Sequence, residues 1–115
     1  MAKTTDGSVQ LLKGTLDLLI LKALSWGAMH GYAIATWMEQ RSDGALGIDD
    51  SALYQALHRL EAKQLIEAEW GTTTTNRQAR FYSLTRAGRA HLKVEAAGWL
   101  RYAKQVTSLL TATAR

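Results

Sequence analysis

The sequence contains no cysteine and no proline, and only one of its 115 residues is phenylalanine. Without cysteine the chain cannot form a disulfide framework or a thiolate metal site, which is typical of proteins in a reducing compartment. The longest aliphatic run, residues 18–21, is bounded by Asp17 and Lys22 and is far too short to cross a membrane. The N-terminus also lacks the apolar core of a secretory signal. These absences predict a cytoplasmic protein with no membrane partner.

The length and composition predict a single globular domain. A chain of 115 residues leaves little room for a second hydrophobic core. Hydrophobic residues make up 47% of the sequence and charged residues 21%, which is ordinary for a folded protein. Residues 1–13 are polar and weakly patterned, so we expect a flexible N-terminal segment there.

Positive charge is concentrated in the second half of the chain. The net charge is +4, and one stretch without any acid, residues 71–94, contains Arg77, Arg80, Arg86, Arg89 and Lys93. A local positive field of this kind suits a polyanionic partner. A solvated basic face without a partner explains the charge equally well, so charge alone leaves both interpretations open.

Two helical patterns occupy the first third of the sequence. The first begins at Thr15, the expected N-cap, and ends at the glycines of "GAMHGY"; the second is "YAIATWMEQR". We expect Trp26 and Trp37 to lie in the core. The segment "SDGALGIDD" is predicted to be a loop, with room for a very short strand at residues 46–48.

A third helix, in "SALYQALHRLEAKQLI", is predicted to have two unlike faces, with Asp49 or Asp50 as its cap. Its apolar residues recur at helical spacing and form a core stripe: Leu53, Ala56, Leu57 and Leu60. The opposite face and the adjoining edge are rich in hydrogen-bond donors: Ser51, Tyr54, Gln55, His58, Arg59 and Lys63. A donor-rich helix face of this width fits the major groove of DNA.

The pattern then changes to a period of two, which predicts a hairpin with strands "LIEAEW" and "ARFYSL". Asn76 and Arg77 lie at its tip, with Arg80 beside them, where a wing would meet phosphates or the minor groove. We expect Arg77 and Arg80 to be free, because the stretch around them, residues 71–94, contains no acid that could pair with them. The hairpin and the three helices together predict a winged helix-turn-helix over residues 14–84.

Thr85 is expected to cap a last helix, residues 85–115, whose apolar residues are spaced as a heptad seam: Leu92, Ala96, Trp99, Ala103, Val106 and Leu110. One helix cannot bury such a seam by itself. The seam therefore predicts dimerisation, and packing on the protein's own first helix is the alternative. The fold class is mainly α with a small β-wing: a winged helix-turn-helix plus a C-terminal dimerisation helix.

Four segments resemble the successive motifs of PadR-type transcriptional regulators: "GTLDLLILKAL", "HGYAIA", "ALYQALHRLEAKQLIEAEW" and "NRQARFYSLTRAGRAHL". The resemblance implies a homodimeric DNA-binding repressor that occupies an inverted-repeat operator. It implies that Tyr54, Arg77 and Arg80 contact the DNA backbone and that Ser51, Gln55 and His58 face bases. It also implies that the first and last helices form the dimer interface, and that the first helix contributes Leu16 and Leu19 to it.

The resemblance leaves one question open at the seam. Some relatives of this type line a pore with aromatic residues and admit flat hydrophobic compounds, which would make Trp99 an effector contact. A plain dimer-core role for Trp99 is the alternative. The sequence also departs from the family pattern: Gln55 stands where proline is common, and Gln64 where glycine usually ends the helix, so the usual helix-end geometry is in question.

Other classes of function have little support in the sequence. No catalytic trio, carboxylate pair or phosphate-binding glycine loop is present, and the three histidines lack metal-ligand spacing, so we expect no enzyme activity, cofactor or metal site. The remaining alternative is a winged-helix protein-interaction module without a specific operator, which would bind an acidic partner through the same basic face.

Overall fold

The computed structural model of the protein describes residues 14–114. In chain order the elements are α1 (Thr15–Leu24), β1 (Met29–His30), α2 (Gly31–Arg41), α3 (Asp50–Ala62), β2 (Ile66–Thr72), β3 (Gln78–Leu84) and α4 (Arg86–Leu110). The strands form one antiparallel sheet in the order β1-β3-β2. This is the predicted mainly-α fold with a small β-wing. The flexible segment expected at residues 1–13 lies outside the described residues.

The core lies where the first three helices pack on the base of the wing. The predicted stripe of α3 is confirmed, since Leu53, Ala56, Leu57 and Leu60 are all fully buried. They pack with Ile20, Leu21 and Leu24 of α1, with Ile34 and Met38 of α2, and with Ile66, Tyr82 and Leu84 of the sheet. Burying one face of α3 in this way leaves its opposite face to solvent.

Both ends of α3 are fixed by local hydrogen bonds. Asp49 is the N-cap, and its carboxylate accepts the Ala52 N–H at 3.2 Å. At the other end the Leu65 N–H donates to the Leu60 carbonyl and the Gln64 N–H to the Glu61 carbonyl, at 3.0 and 2.9 Å. This is the Schellman arrangement, with Gln64 at φ 61° in the glycine position. The usual geometry is therefore kept although glutamine replaces glycine.

The last helix begins directly against the end of α3. The Thr85 hydroxyl, the confirmed N-cap, donates to the Gln64 carbonyl at 2.7 Å and accepts the Gly88 N–H at 3.0 Å. A Cβ at Gly88 would collide with the Leu65 carbonyl oxygen and lie 3.0 Å from its carbon. Only glycine lets the two segments approach this closely, so the start of α4 is held against Leu65, in the segment between α3 and β2.

Three local expectations were wrong. Residues 46–48 form no strand; the extra strand is β1, which pairs with Tyr82 and Phe81 of β3. The N-cap of α1 is Gly14 in a left-handed conformation, and Thr15 is the first helical residue.

Trp26, the third of these, was expected in the core but lies beyond the end of α1 and is 62% exposed. Trp37 is half-buried against the core, and the Arg41 guanidinium lies 5.3 and 5.8 Å from the ring centroids of Trp26 and Trp37.

The helix α4 extends well past the core. Leu92 packs against the core, but the later seam is half-buried or open, with Trp99 40% exposed and Leu110 80% exposed. Packing on the chain's own α1 therefore covers only the beginning of the seam. Within residues 14–114, no helix combines the length and the apolar character needed to span a membrane.

Candidate nucleic-acid interface

The outer face of α3 is polar and exposed to solvent. Ser51, Tyr54, Gln55 and His58 are all exposed, as the sequence predicted. Their spacing of three and four residues places them along one side of the helix. The Gln55 amide donates to the Ser51 hydroxyl at 3.4 Å, a long and weak contact that leaves both side chains available to another partner.

Arg59 is tied to the first helix and does not extend freely from α3. Its guanidinium donates to Asp17 at 2.7 Å from Nη2 and at 3.4 Å from Nε. The hydrogen bond to Asp17 raises the pKa of Arg59 above its ordinary value, and desolvation opposes this. Half of the Arg59 side chain remains exposed, so the pair holds the residue at the edge of the face and leaves part of it accessible.

Lys63 lies apart from the residues with which the sequence grouped it. It is the C-cap of α3 and lines a groove between α1 and α4, together with Asp17 and Leu21. The predicted DNA-binding set is therefore divided: the four residues from Ser51 to His58 share a face, whereas Lys63 belongs to the side that packs toward α4.

The tip of the wing is a compact loop, residues 73–77, which is shorter than the connection that the sequence predicted. The Thr73 hydroxyl accepts the Arg77 N–H at 3.1 Å, and the Asn76 N–H donates to the Thr73 carbonyl at 2.9 Å. Asn76 adopts a left-handed conformation with φ 66°, which asparagine tolerates better than most residues. Asn76 and Arg77 are both exposed, and no ion pair within residues 14–114 involves Arg77.

Arg80 has an internal partner, contrary to the expectation from the sequence. Its Nη2 donates to the Glu61 carboxylate at 2.8 Å, and its guanidinium lies 5.8 Å from the centroid of the Tyr82 ring. The acid comes from α3 and not from the wing. The stretch of sequence around Arg80 contains no acid and therefore gave no sign of this partner. Burial raises the pKa of the Tyr82 phenol, and the Arg80 charge partly opposes this.

Tyr54 is held by a contact that the sequence did not predict. Gly31, the first residue of α2, is buried beneath the Tyr54 ring. The segment "MHGY" had indicated only a break between helices. No local pattern pairs residues 31 and 54, because their contact depends on how α2 crosses α3.

The groove between α1 and α4 has a volume of about 490 Å³. Its apolar lining comes from both helices: Leu18, Leu21, Val94, Trp99 and Tyr102. Two residues assigned to the dimer interface, Leu16 and Leu19, are partly buried and pack against the protein's own core. Leu18, which lies between them in sequence, is a partly exposed apolar residue of α1 that lines the groove.

Comparison with known proteins agrees with this architecture. The model of the transcriptional regulator PadR-like family matches residues 20–94. A relative described as uncharacterised protein X of Lysinibacillus sphaericus is 29% identical over 89 residues, which are 77% of this chain and 82% of that protein.

Two solved structures show the same fold over most of the chain. A transcriptional regulator of Clostridium thermocellum superposes with a TM-score of 0.76 at 27% identity and covers 87% of this chain and 93% of its own. A PadR-like transcriptional regulator of Bacillus cereus superposes with a TM-score of 0.78 at 24% identity, over 91% of this chain and all of its own. With the family model matching well over half of the residues, the chain belongs to the PadR-like family of transcriptional regulators.

Proposed function

We propose that this regulator is a homodimeric repressor that binds an inverted-repeat operator sequence-specifically through α3 and the wing. The observation that carries the proposal is the division of α3 into a fully buried apolar stripe and an exposed polar face. A helix anchored on one side and donor-rich on the other suits insertion into the major groove.

The proposed contacts fall into two groups. Ser51, Gln55 and His58 would face base edges, and Gln55 has the paired donor and acceptor that recognise adenine. Tyr54 and the wing-tip residues Asn76 and Arg77 would contact phosphates and so set the position of the protein on the duplex.

Arg59 and Arg80 are secondary DNA contacts in this proposal, because each is paired with an acid in the free protein. Asp17 accepts from Arg59 and Glu61 accepts from Arg80, at 2.7 and 2.8 Å. Either arginine can contribute a full charge to DNA only after it leaves its carboxylate. Lys63 would approach DNA only from the edge of α3.

The proposed dimer is formed by α4, as the C-terminal dimerisation helix, against its copy and α1. Much of the seam and the neighbouring apolar residues remain exposed in one chain: Trp99, Leu100, Tyr102, Leu109 and Leu110. Covering this surface with a second copy would remove apolar area from water. A two-fold dimer would present its two α3 helices to successive major grooves about 34 Å apart.

A small hydrophobic or aromatic effector is a further part of the proposal. The groove between α1 and α4 is lined by Trp99 and Tyr102 and has the volume of a small-molecule site. Binding there would alter the packing of α4 and thereby the separation of the two α3 helices. Quenching of tryptophan fluorescence by planar aromatic compounds, absent in Trp99→Phe, is the expected result; unchanged quenching in that variant would count against Trp99.

Selection of bound duplexes from random DNA, together with sedimentation of the free protein, tests the whole proposal. We expect enrichment of an inverted repeat with half-sites about one helical turn apart, and a mass of two chains. Weak, sequence-blind DNA binding together with tight binding to an acidic protein would favour the interaction-module alternative.

A further inference from the structure

Gly31 is buried although it has no side chain, and the group that covers it is the phenol of Tyr54. A Cβ built on Gly31 would lie 2.8 Å from Cζ and 3.1 Å from Cε1 of Tyr54, and would collide with the phenolic oxygen. Any other residue at position 31 would therefore have to displace the Tyr54 ring. The ring occupies the space that a side chain at position 31 would fill.

The backbone at Gly31 does not require glycine. The residues with positive φ are found elsewhere, at Gly14, Gly27 and Gly44 among the described glycines. Gly31 begins an α-helix of 11 residues, and glycine in a helix is less favourable than alanine. Glycine is therefore required at position 31 because it lacks a Cβ, and the side chain that occupies this space is that of Tyr54.

The contact determines where the Tyr54 hydroxyl lies. Tyr54 belongs to the polar face of α3 and is 45% exposed, so part of its ring packs while the rest stays open to solvent. Packing against Gly31 holds the phenol across the space between α3 and the beginning of α2. Without this contact the side chain could adopt other rotamers along α3, and its hydroxyl would lose a defined position.

We propose that Gly31 is a positioning residue for DNA binding, which holds the Tyr54 hydroxyl where it meets a DNA phosphate. This inference rests on the proposed function, because it takes Tyr54 as a contact to the DNA backbone. It adds a residue of α2 that itself touches no DNA and acts only through Tyr54.

The test is a double-mutant cycle with Gly31→Ala and Tyr54→Phe, measured on the selected operator and on a random duplex at one salt concentration. Each single variant is expected to bind both duplexes about 10-fold more weakly, because each loses one hydrogen bond to a charged phosphate group. The ratio between the two duplexes stays unchanged, because a phosphate contact is independent of sequence. The double variant is expected to bind like Tyr54→Phe alone.

Gly47→Ala is the matched control, since a Cβ at Gly47 has no neighbour within 4 Å. It is expected to bind like the wild type. Wild-type binding by Gly31→Ala would overturn the proposal. So would a full additional 10-fold loss when Gly31→Ala is added to Tyr54→Phe, because Gly31 would then act independently of the hydroxyl.

Thermal unfolding keeps the proposal testable if Gly31→Ala does not fold. Removing the ring with Tyr54→Ala opens the space for the new Cβ, so Gly31→Ala combined with Tyr54→Ala is expected to fold like Tyr54→Ala alone. No recovery would mean that Gly31 is required for another reason. If the wild type binds no duplex, the proposed function fails, whereas the unfolding comparison still decides whether Tyr54 requires a glycine at position 31.

Discussion

Replacing Glu61 by glutamine is expected to release Arg80 toward DNA. The carboxylate of Glu61 accepts from Arg80 at 2.8 Å, and the two side chains are 31% and 38% exposed. Glutamine keeps the shape and can still accept a hydrogen bond, but it removes the charge that holds the guanidinium. Because exposed ion pairs contribute only about 0.2–1 kcal/mol, we expect the free energy of unfolding to fall by less than about 1 kcal/mol.

The effect on DNA binding follows from counterion release. One additional phosphate contact steepens the slope of log affinity against log salt by about 0.9. Raising the salt from about 50 to 200 mM should then weaken Glu61→Gln about 3.5-fold more than it weakens the wild type. At the lower salt concentration the variant should bind more tightly, to the operator and to random DNA alike.

Binding isotherms at four or more salt concentrations measure this slope. Glu67→Gln is the matched control, because it removes one exposed negative charge from β2 without releasing an arginine. An equal change of slope in both variants would indicate a general field effect. Weaker binding by Glu61→Gln at every salt concentration, with the slope unchanged, would refute the reasoning and show that the ion pair holds Arg80 in its DNA-binding position.

Three further substitutions test other parts of the account. Gln55→Ala is expected to lower the preference for the operator over random DNA by about 1–3 kcal/mol, measured by competition binding. An unchanged ratio of the two affinities would show that Gln55 does not contact bases. Gly88→Ala forces a Cβ onto the Leu65 carbonyl and should destabilise the protein by about 1–3 kcal/mol in denaturant unfolding, and wild-type stability would contradict the close contact. Gln64→Gly should stabilise it by about 1 kcal/mol, because Gln64 has φ 61°; a lower Tm at equal protein concentration would be the contrary result.

The features that the sequence predicted correctly are those determined by local spacing. The apolar residues of α3 recur every three or four positions, so both its buried stripe and its polar face follow from helix geometry. The wing follows in the same way from alternation. Thr85 was predicted as a cap by type and position, and the cap of α3 was predicted as Asp49 or Asp50, of which the structure has Asp49. None of these features depends on how one element packs against another.

The features that the sequence did not predict arise from packing between distant segments. Asp17 pairs with Arg59, and Glu61 with Arg80, because α3 lies between α1 and the wing. The strand β1 has only two residues, and its pairing with β3 alone defines it. Trp26 resembled a core residue by its type, but it follows the last turn of α1 and so points away from the core.

The helix of the proposed dimer interface, α4, begins next to the end of α3, the helix that carries the polar face. The hydrogen bonds of Thr85 and the contact of Gly88 join α4 to the end of α3. The start of α4 is therefore joined by direct contacts to Gln64 and Leu65, the two residues that follow the C-cap of α3.

Selection of bound sites from random DNA by the intact protein tests the central claim most directly. Two α3 helices held by a two-fold dimer should enrich an inverted repeat whose half-sites are about one helical turn apart, roughly 34 Å. Enrichment of no sequence at all, or of a single unrepeated half-site bound by one chain, would contradict the account.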